Sequence, residues 1–345
     1  MSFELCVNWP GDLNKAKELI LKAYSFGYLG IAFNNTLNLV EKCNKLRSSP
    51  NKNSVSGNIL SILAKEGHVC PIQYIQLEKE ELRGLRKRSL IVKSNSGPLV
   101  PKNAYLPLSL SCHNFEINKQ FGKEDDTSLD FFQLRRLSIV FDNPDCVPYI
   151  NALSRGPCNE SSDSWSKAIF SSVPNQPYDL VSVRPTTQNA LNSAISSVEC
   201  DIISIDISSA PRLPFIIKRP QINLAISRGI FFELDISQCI LNKGNSRRNF
   251  FSNLNTLTRH VPHKNIIITC NPSFPLDIKT PMDLSNICHV LLSLDFDRKV
   301  KVNSFDFINN NAIKALAKGT NRRSFASVIL INKKEEHPDQ EMDIL

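Results

Sequence analysis

The chain reads as an α/β protein, a distorted TIM-like (β/α) barrel with mobile insertions. Three observations carry this expectation. Short apolar runs alternate with helix-length amphipathic runs through most of the sequence. The apolar runs are nearly continuous, as in parallel strands covered on both faces. Helix boundaries carry capping residues or Pro at the start and Gly at the end. At 345 residues, 41% hydrophobic and 21% charged, the composition is that of a globular chain long enough for one large barrel.

The elements follow in order. FELCV (Phe3 to Val7) is a short apolar strand. Asp12 caps the next helix, whose stripe is Leu13, Ala16, Ile20 and Ala23, and Gly27 ends it. GIAF (Gly30 to Phe33) is the second strand, and Asn34-Asn35 reads as a capped turn. LSIVF (Leu137 to Phe141) and DLVSV (Asp179 to Val183) follow as strands, then a helix with Ala190, Leu191, Ala194, Ile195 and Val198 on one face. IISIDI (Ile202 to Ile207) leads into LPFIIKRPQINLAISRGIFFEL (Leu213 to Leu234). This stretch is a βα loop, a helix with Pro220 in its first turn and Gly229 at its stop, and the strand IFFEL (Ile230 to Leu234). NIIIT (Asn265 to Thr269) is the seventh strand, and Thr280-Pro281-Met282-Asp283 starts a helix. SLIV (Ser89 to Val92) is a candidate eighth strand. An open doubly wound sheet is the alternative, but no Gly-x-Gly-x-x-Gly fingerprint supports it.

Residues 1–332 are therefore expected to form a single barrel domain. Two Ser-, Asn- and Pro-rich segments, 93–133 and 155–177, read as mobile insertions, and 333–345 as a disordered acidic tail. Basic residues outnumber acidic ones by 41 to 33, a net charge of +8. The excess is concentrated. Arg212 to Arg259 holds eight basic and two acidic residues, Arg298 to Arg323 seven and one. Such clustering is compatible with a nucleic-acid partner. The ten cysteines are scattered, without a Cys-x-x-Cys pair, so neither a disulfide framework nor a zinc site is expected. With no secretory signal and no apolar run of membrane-spanning length, a reducing intracellular compartment and no membrane partner are expected.

In a parallel barrel every segment that follows a strand emerges at one end. Arg184, Lys218, Arg219, Lys243, Arg247, Arg248 and Lys279 follow the fourth to seventh strands and should share that face. Arg228 ends the helix between Pro220 and Gly229 and joins the candidate set. Lys318, Arg322 and Arg323 form a second basic cluster whose face the sequence does not place. Any one of these residues can be ordinary solvated surface. As a set they suit phosphate oxygens. Arg247 and Arg248 should lie in one exposed loop. Asp206 and Glu233, near strand ends, are expected to neutralise nearby Lys218, Arg219 or Arg228 rather than to form a catalytic pair. No Gly-x-Ser-x-Gly elbow occurs.

The sequence also resembles a known family. ELCVNWP (Glu4 to Pro10), GYLGIAFNNTL (Gly27 to Leu37), LRRLSIVFDNP (Leu134 to Pro144) and YDLVSVRPTTQNAL (Tyr178 to Leu191) are similar to it. So are the Leu213 to Leu234 stretch, Arg247-Arg248, NIIITCNPSFPLDIKTPMDLSNI (Asn265 to Ile287) and NRRSFASVIL (Asn321 to Leu330). The family is the barrel-fold protein subunit of archaeal and eukaryotic ribonuclease P, shared in eukaryotes with RNase MRP. The resemblance implies a nuclear, nucleolar subunit that supports catalytic RNA in removing the 5′ leader from precursor tRNA and in processing precursor ribosomal RNA. It implies as partners the RNAs of both particles, precursor tRNA, a small ferredoxin-like subunit and other RNase P/MRP proteins. The RNA would hold Mg²⁺, and the chain itself would bind no cofactor. The family in turn resembles metal-dependent phosphoesterases that open with a His-x-His pair; Glu4-Leu5-Cys6 stands in its place, so no catalytic residue and no metal ligand is assigned. A free-standing phosphoesterase with altered ligands and a purely protein-binding scaffold are the alternatives. The family commonly has a His beside Asn34-Asn35.

Overall fold

Seven parallel strands, hydrogen-bonded in chain order, form the frame: β1 (Ser2–Asn8), β2 (Tyr28–Asn38), β3 (Phe132–Phe141), β4 (Leu180–Pro185), β5 (Ile202–Ser204), β6 (Phe231–Asp235) and β7 (Ile266–Thr269). This is a computed structural model, and it describes residues 2–40, 131–155, 178–241, 244–291 and 304–324. The helices are α1 (Leu13–Ser25), α2 (Val147–Arg155), α3 (Gln188–Ser196), α4 (Arg219–Ser227), α5 (Ser237–Ile240), α6 (Asn245–His260), α7 (Pro281–Leu291) and α8 (Ser304–Ser324). Ser89 to Val92, the segment 156–177 and the tail 333–345 lie outside the described residues.

The sheet rolls into a nearly closed barrel. No strand ladder joins β1 to β7, but the residues that follow β7 close the seam. The Asn8 N–H donates to the Pro272 carbonyl at 3.1 Å, and the Cys270 N–H to Glu4 Oε1 at 3.2 Å.

The expected punctuation recurs. The Asp12 side chain accepts from the Asn14 N–H at 3.0 Å at the start of α1. Thr187 Oγ1 accepts from the Ala190 N–H at 3.2 Å at the start of α3. Thr280 Oγ1 accepts from the Asp283 N–H at 3.1 Å and donates to Asp283 Oδ2 at 2.8 Å, capping the helix that begins at Pro281. Gly229 stops α4 at φ 68°, where any side chain would be strained.

Three expectations are revised. β5 ends at Ser204, so the run to Ile207 is only partly strand. Phe131, inside the first expected insertion, is buried and β3 starts at Phe132, while residues 93–130 lie outside the described residues. Asn34 and Asn35 lie inside the long β2 rather than in a turn.

Two apolar layers build the core. The outer one packs strand residues such as Ile31, Leu137, Val181, Ile203 and Phe232 beneath α1, α2, α3, α4, α6 and α7. The inner one takes alternate residues from every strand: Phe3, Leu5, Ala32, Phe132, Leu134, Leu180, Ile202, Phe231 and Ile267. Ala312, Ala315 and Leu316 of α8 join it, so α8 plugs the barrel at the N-terminal ends of the strands. There Asn311 Nδ2 donates to the Ile266 carbonyl at 2.7 Å, and Gly319 lies so close to the Asp179 carbonyl that a Cβ would run into it.

Candidate nucleic-acid interface

The alternation that fills the lower barrel with apolar side chains turns polar toward the C-terminal ends of the strands. Above Phe132 and Leu134 come Arg136 and Ser138. Above Leu180 come Ser182 and Arg184, and above Ile202 comes Ser204. Above Phe231 come Glu233 and Asp235, and above Ile267 comes Thr269. Parallel register sets Asn34 beside Arg136, Ser138 beside Ser182, and Ser204 beside Glu233. A polar layer thus occupies the barrel mouth.

Its centre is an ion pair across the barrel. Arg136 and Glu233 are 1% and 3% exposed, and their fork-to-fork hydrogen bonds are 2.7 Å (Nη1 to Oε1) and 2.6 Å (Nη2 to Oε2). Nη1 also donates to the Leu5 carbonyl at 3.0 Å, and Nε to Ser138 Oγ at 3.3 Å. Ser138 Oγ donates to Asn34 Oδ1 at 2.6 Å and Thr269 Oγ1 to Glu233 Oε1 at 2.9 Å. Burial alone would push the Glu233 carboxyl up, but the Arg136 guanidinium outweighs it and holds the carboxyl well below the usual range. Glu4, at the seam, accepts the Cys6 and Cys270 N–H groups on one oxygen. Burial, aided by the charges of Asp235 and Glu233, pushes its carboxyl up to about 8. Burial likewise raises the Asp235 carboxyl, against the pull of the Ser237 hydroxyl.

Two expectations about carboxylates are corrected here. Glu233 is neutralised by Arg136, 97 residues earlier, and not by Lys218, Arg219 or Arg228. Asp206 accepts from the Ser208 and Ser209 N–H groups at 3.1 and 3.2 Å, an Asx turn with no cation in it.

The basic candidates divide between the two ends of the barrel. Lys218 and Arg219 are exposed at the start of α4, at the C-terminal rim. Arg247 and Arg248 are exposed on the same rim, but in the first turn of α6 rather than in a loop. The Arg247 guanidinium reaches back to the Cys239 and Ile240 carbonyls at 2.9 and 3.2 Å. Arg184 is half-buried at the mouth, bonded to Ser204 Oγ at 3.3 Å. Lys279 is half-buried after β7, and its carbonyl accepts the Tyr28 hydroxyl at 2.9 Å. Lys243 lies outside the described residues.

Arg228 sits at the opposite end. It donates to the Ile195 carbonyl, and to that of Val198 at 2.7 Å, closing the end of α3. Lys318 donates to the Arg228 carbonyl at 2.7 Å. Arg322 pairs with the buried Asp201 carboxylate at 3.0 Å and donates to the Ser154 and Tyr178 carbonyls. Arg323 is the next residue of α8. The second basic cluster thus belongs to the plugged end, where Lys318 and Arg322 tie α8 to the barrel.

Arg136 was not among the sequence candidates. The signal for it was present: Phe132, Leu134, Arg136 and Ser138 share one face of β3 by alternation alone. Among the described residues, no group of three or more His, Cys, Asp or Glu could hold a metal ion, and His260 and His263 lie at the N-terminal end, before β7.

Residues 160–324 match the family model described as RNase P subunit p30. Protein GAMETOPHYTE DEFECTIVE 1 of Arabidopsis thaliana is 36% identical over 33% of this chain and 19% of its own length. Ribonuclease P protein subunit p30 of Mus musculus is 34% identical over 32% of this chain and 40% of its own length. Probable ribonuclease P protein subunit 3 of Schizosaccharomyces pombe is 33% identical over 34% of this chain and 49% of its own length. The chain thus spans less than half the length of each of these relatives. Arg184, the two basic pairs on the rim, the mouth residues Glu233 and Asp235, and the whole of α8 fall inside the stretch, residues 160–324, over which the chain is similar to the RNase P subunit p30 family.

Proposed function

We propose that the chain is a protein subunit of ribonuclease P, supporting a catalytic RNA in removal of the 5′ leader from precursor tRNA. The match of residues 160–324 to the p30 family carries this reading. The exposed cations of the C-terminal rim support it. Lys218, Arg219, Arg247 and Arg248, with the half-buried Arg184 and Lys279, offer separate donors to a phosphate backbone. The chain works as one barrel domain over residues 1–332. The chemistry falls to the RNA, which holds the Mg²⁺, while the chain binds no cofactor of its own. The same role in RNase MRP, in precursor ribosomal RNA processing, belongs to the proposal. So do residence in the nucleus and nucleolus, and assembly with a small ferredoxin-like subunit and other RNase P/MRP proteins. Affinity purification of the tagged chain from its own cells, followed by sequencing of bound RNA, tests it. One or two structured RNAs, enriched and lost on Lys218/Arg219/Arg247/Arg248→Ala, are expected. A preparation free of RNA would favour a protein scaffold instead.

A further inference from the structure

Three carboxyls, Glu4, Glu233 and Asp235, are 2%, 3% and 6% exposed around the barrel mouth. Carboxyls buried together stay charged only beside a cation and otherwise keep a proton. Many barrels supply that cation as a divalent metal held by histidines and carboxylates, and the likeness to metal-dependent phosphoesterases implies one here. The residues present do not fit a metal. None of the described histidines, His260, His263 and His289, stands in the polar layer of the mouth. Both Glu233 oxygens are taken by Arg136, and one of them also by Thr269. Asp235 Oδ1 accepts the Ser237 N–H and hydroxyl at 3.0 and 2.6 Å, and its Oδ2 accepts Asn271 Nδ2 at 3.4 Å. Glu4 Oε1 is turned to the backbone N–H groups of the seam. Arg136 stands among these groups with three of its nitrogens engaged.

We infer that Arg136 is the resident cation of the barrel mouth: its guanidinium does for the buried Glu233 carboxylate what a bound divalent metal does in a metal-dependent barrel, and the mouth therefore holds its charge balance without taking a metal ion. The inference does not depend on the RNA role. It predicts that charge, donor number and the presence of Glu233 decide the stability of this site.

The test is thermal unfolding of the full chain in EDTA and in millimolar MnCl₂. The wild-type midpoint is expected to be the same in both. Arg136→Met should lower it by about 10 °C, because it leaves Glu233 buried and unpaired in a large domain. Arg136→Lys, which keeps the charge but not the fork, should fall between Met and wild type. Arg136→Met/Glu233→Gln should melt above Arg136→Met alone, because the orphaned charge is gone. A wild-type midpoint raised by Mn²⁺ and no longer raised in Glu233→Gln would overturn the inference, as the mouth would then be a metal site. A Lys variant melting no higher than the Met variant, or a double variant melting below it, would also overturn it, as packing rather than charge would then be Arg136's role. The Lys and double variants decide the matter even where the Met variant does not fold.

Discussion

Replacing Glu4 with Gln should make the barrel more resistant to alkali. Glu4 bridges the seam between β1 and β7 through one oxygen that accepts the Cys6 and Cys270 N–H groups at 3.4 and 3.2 Å. Burial raises its carboxyl from 4.5 to about 8, with the negative charges of Asp235 and Glu233 adding to the shift. Between those two values the folded state holds a proton that the unfolded state has released. Stability contributed by the neutral acid is therefore complete below the unfolded value. It declines as pH rises toward 8 and is lost above it. At 1.36 kcal/mol per pH unit, the span from 4.5 to about 8 amounts to about 4–5 kcal/mol, of which about 3 falls between pH 5 and pH 8. Glutamine keeps the accepting oxygen and does not titrate. The difference in unfolding free energy between Glu4→Gln and wild type should therefore shift in favour of the variant by about 3 kcal/mol from pH 5 to pH 8. Urea unfolding at a series of pH values reads this difference directly. Parallel pH profiles for the two proteins would refute the reasoning, since Glu4 would then titrate as it does in the unfolded chain.

The remaining expectations concern the two ends of the barrel. Arg322→Ala should cost about 3–5 kcal/mol by leaving Asp201 buried and unpaired, with the salt dependence of RNA binding unchanged. Arg247→Ala/Arg248→Ala should reduce that salt slope by up to about two units, one per phosphate contact, while the loss of two exposed Arg247 hydrogen bonds costs about 1–2 kcal/mol of stability. Gly319→Ala should destabilise the plugged end, because its Cβ meets the Asp179 carbonyl, and calorimetry should show a lowered midpoint. The purified chain alone, with Mg²⁺ or Mn²⁺, should leave precursor tRNA uncut in a gel assay, and metal-dependent cleavage that co-elutes with the monomer would argue for a phosphoesterase.

Much of the frame is local in origin, and the sequence shows it. Each of the seven strands is a short apolar run, and Asp12, Thr280, Pro220 and Gly229 act on backbone groups within a few residues of themselves. The mouth is different. Arg136 meets Glu233 only because the rolled sheet brings β3 across from β6, and no spacing in the chain encodes that pairing. The basic clusters misled for a related reason. A long arginine side chain in a charge-rich run looks like surface, yet Arg228 and Arg322 spend their donors on carbonyls at helix and strand ends. The parallel-barrel rule did place Lys218, Arg219, Arg247 and Arg248 on one rim, because that rule depends only on strand order.

The most direct test of the central claim is processing of precursor tRNA by the tagged chain immunoprecipitated from its own cells, assayed before and after treatment with micrococcal nuclease. A subunit of an RNA-catalysed ribonuclease P predicts accurate removal of the 5′ leader by the untreated precipitate and none after the nuclease. Leader removal that survives destruction of the RNA, or an untreated precipitate without activity, would contradict it.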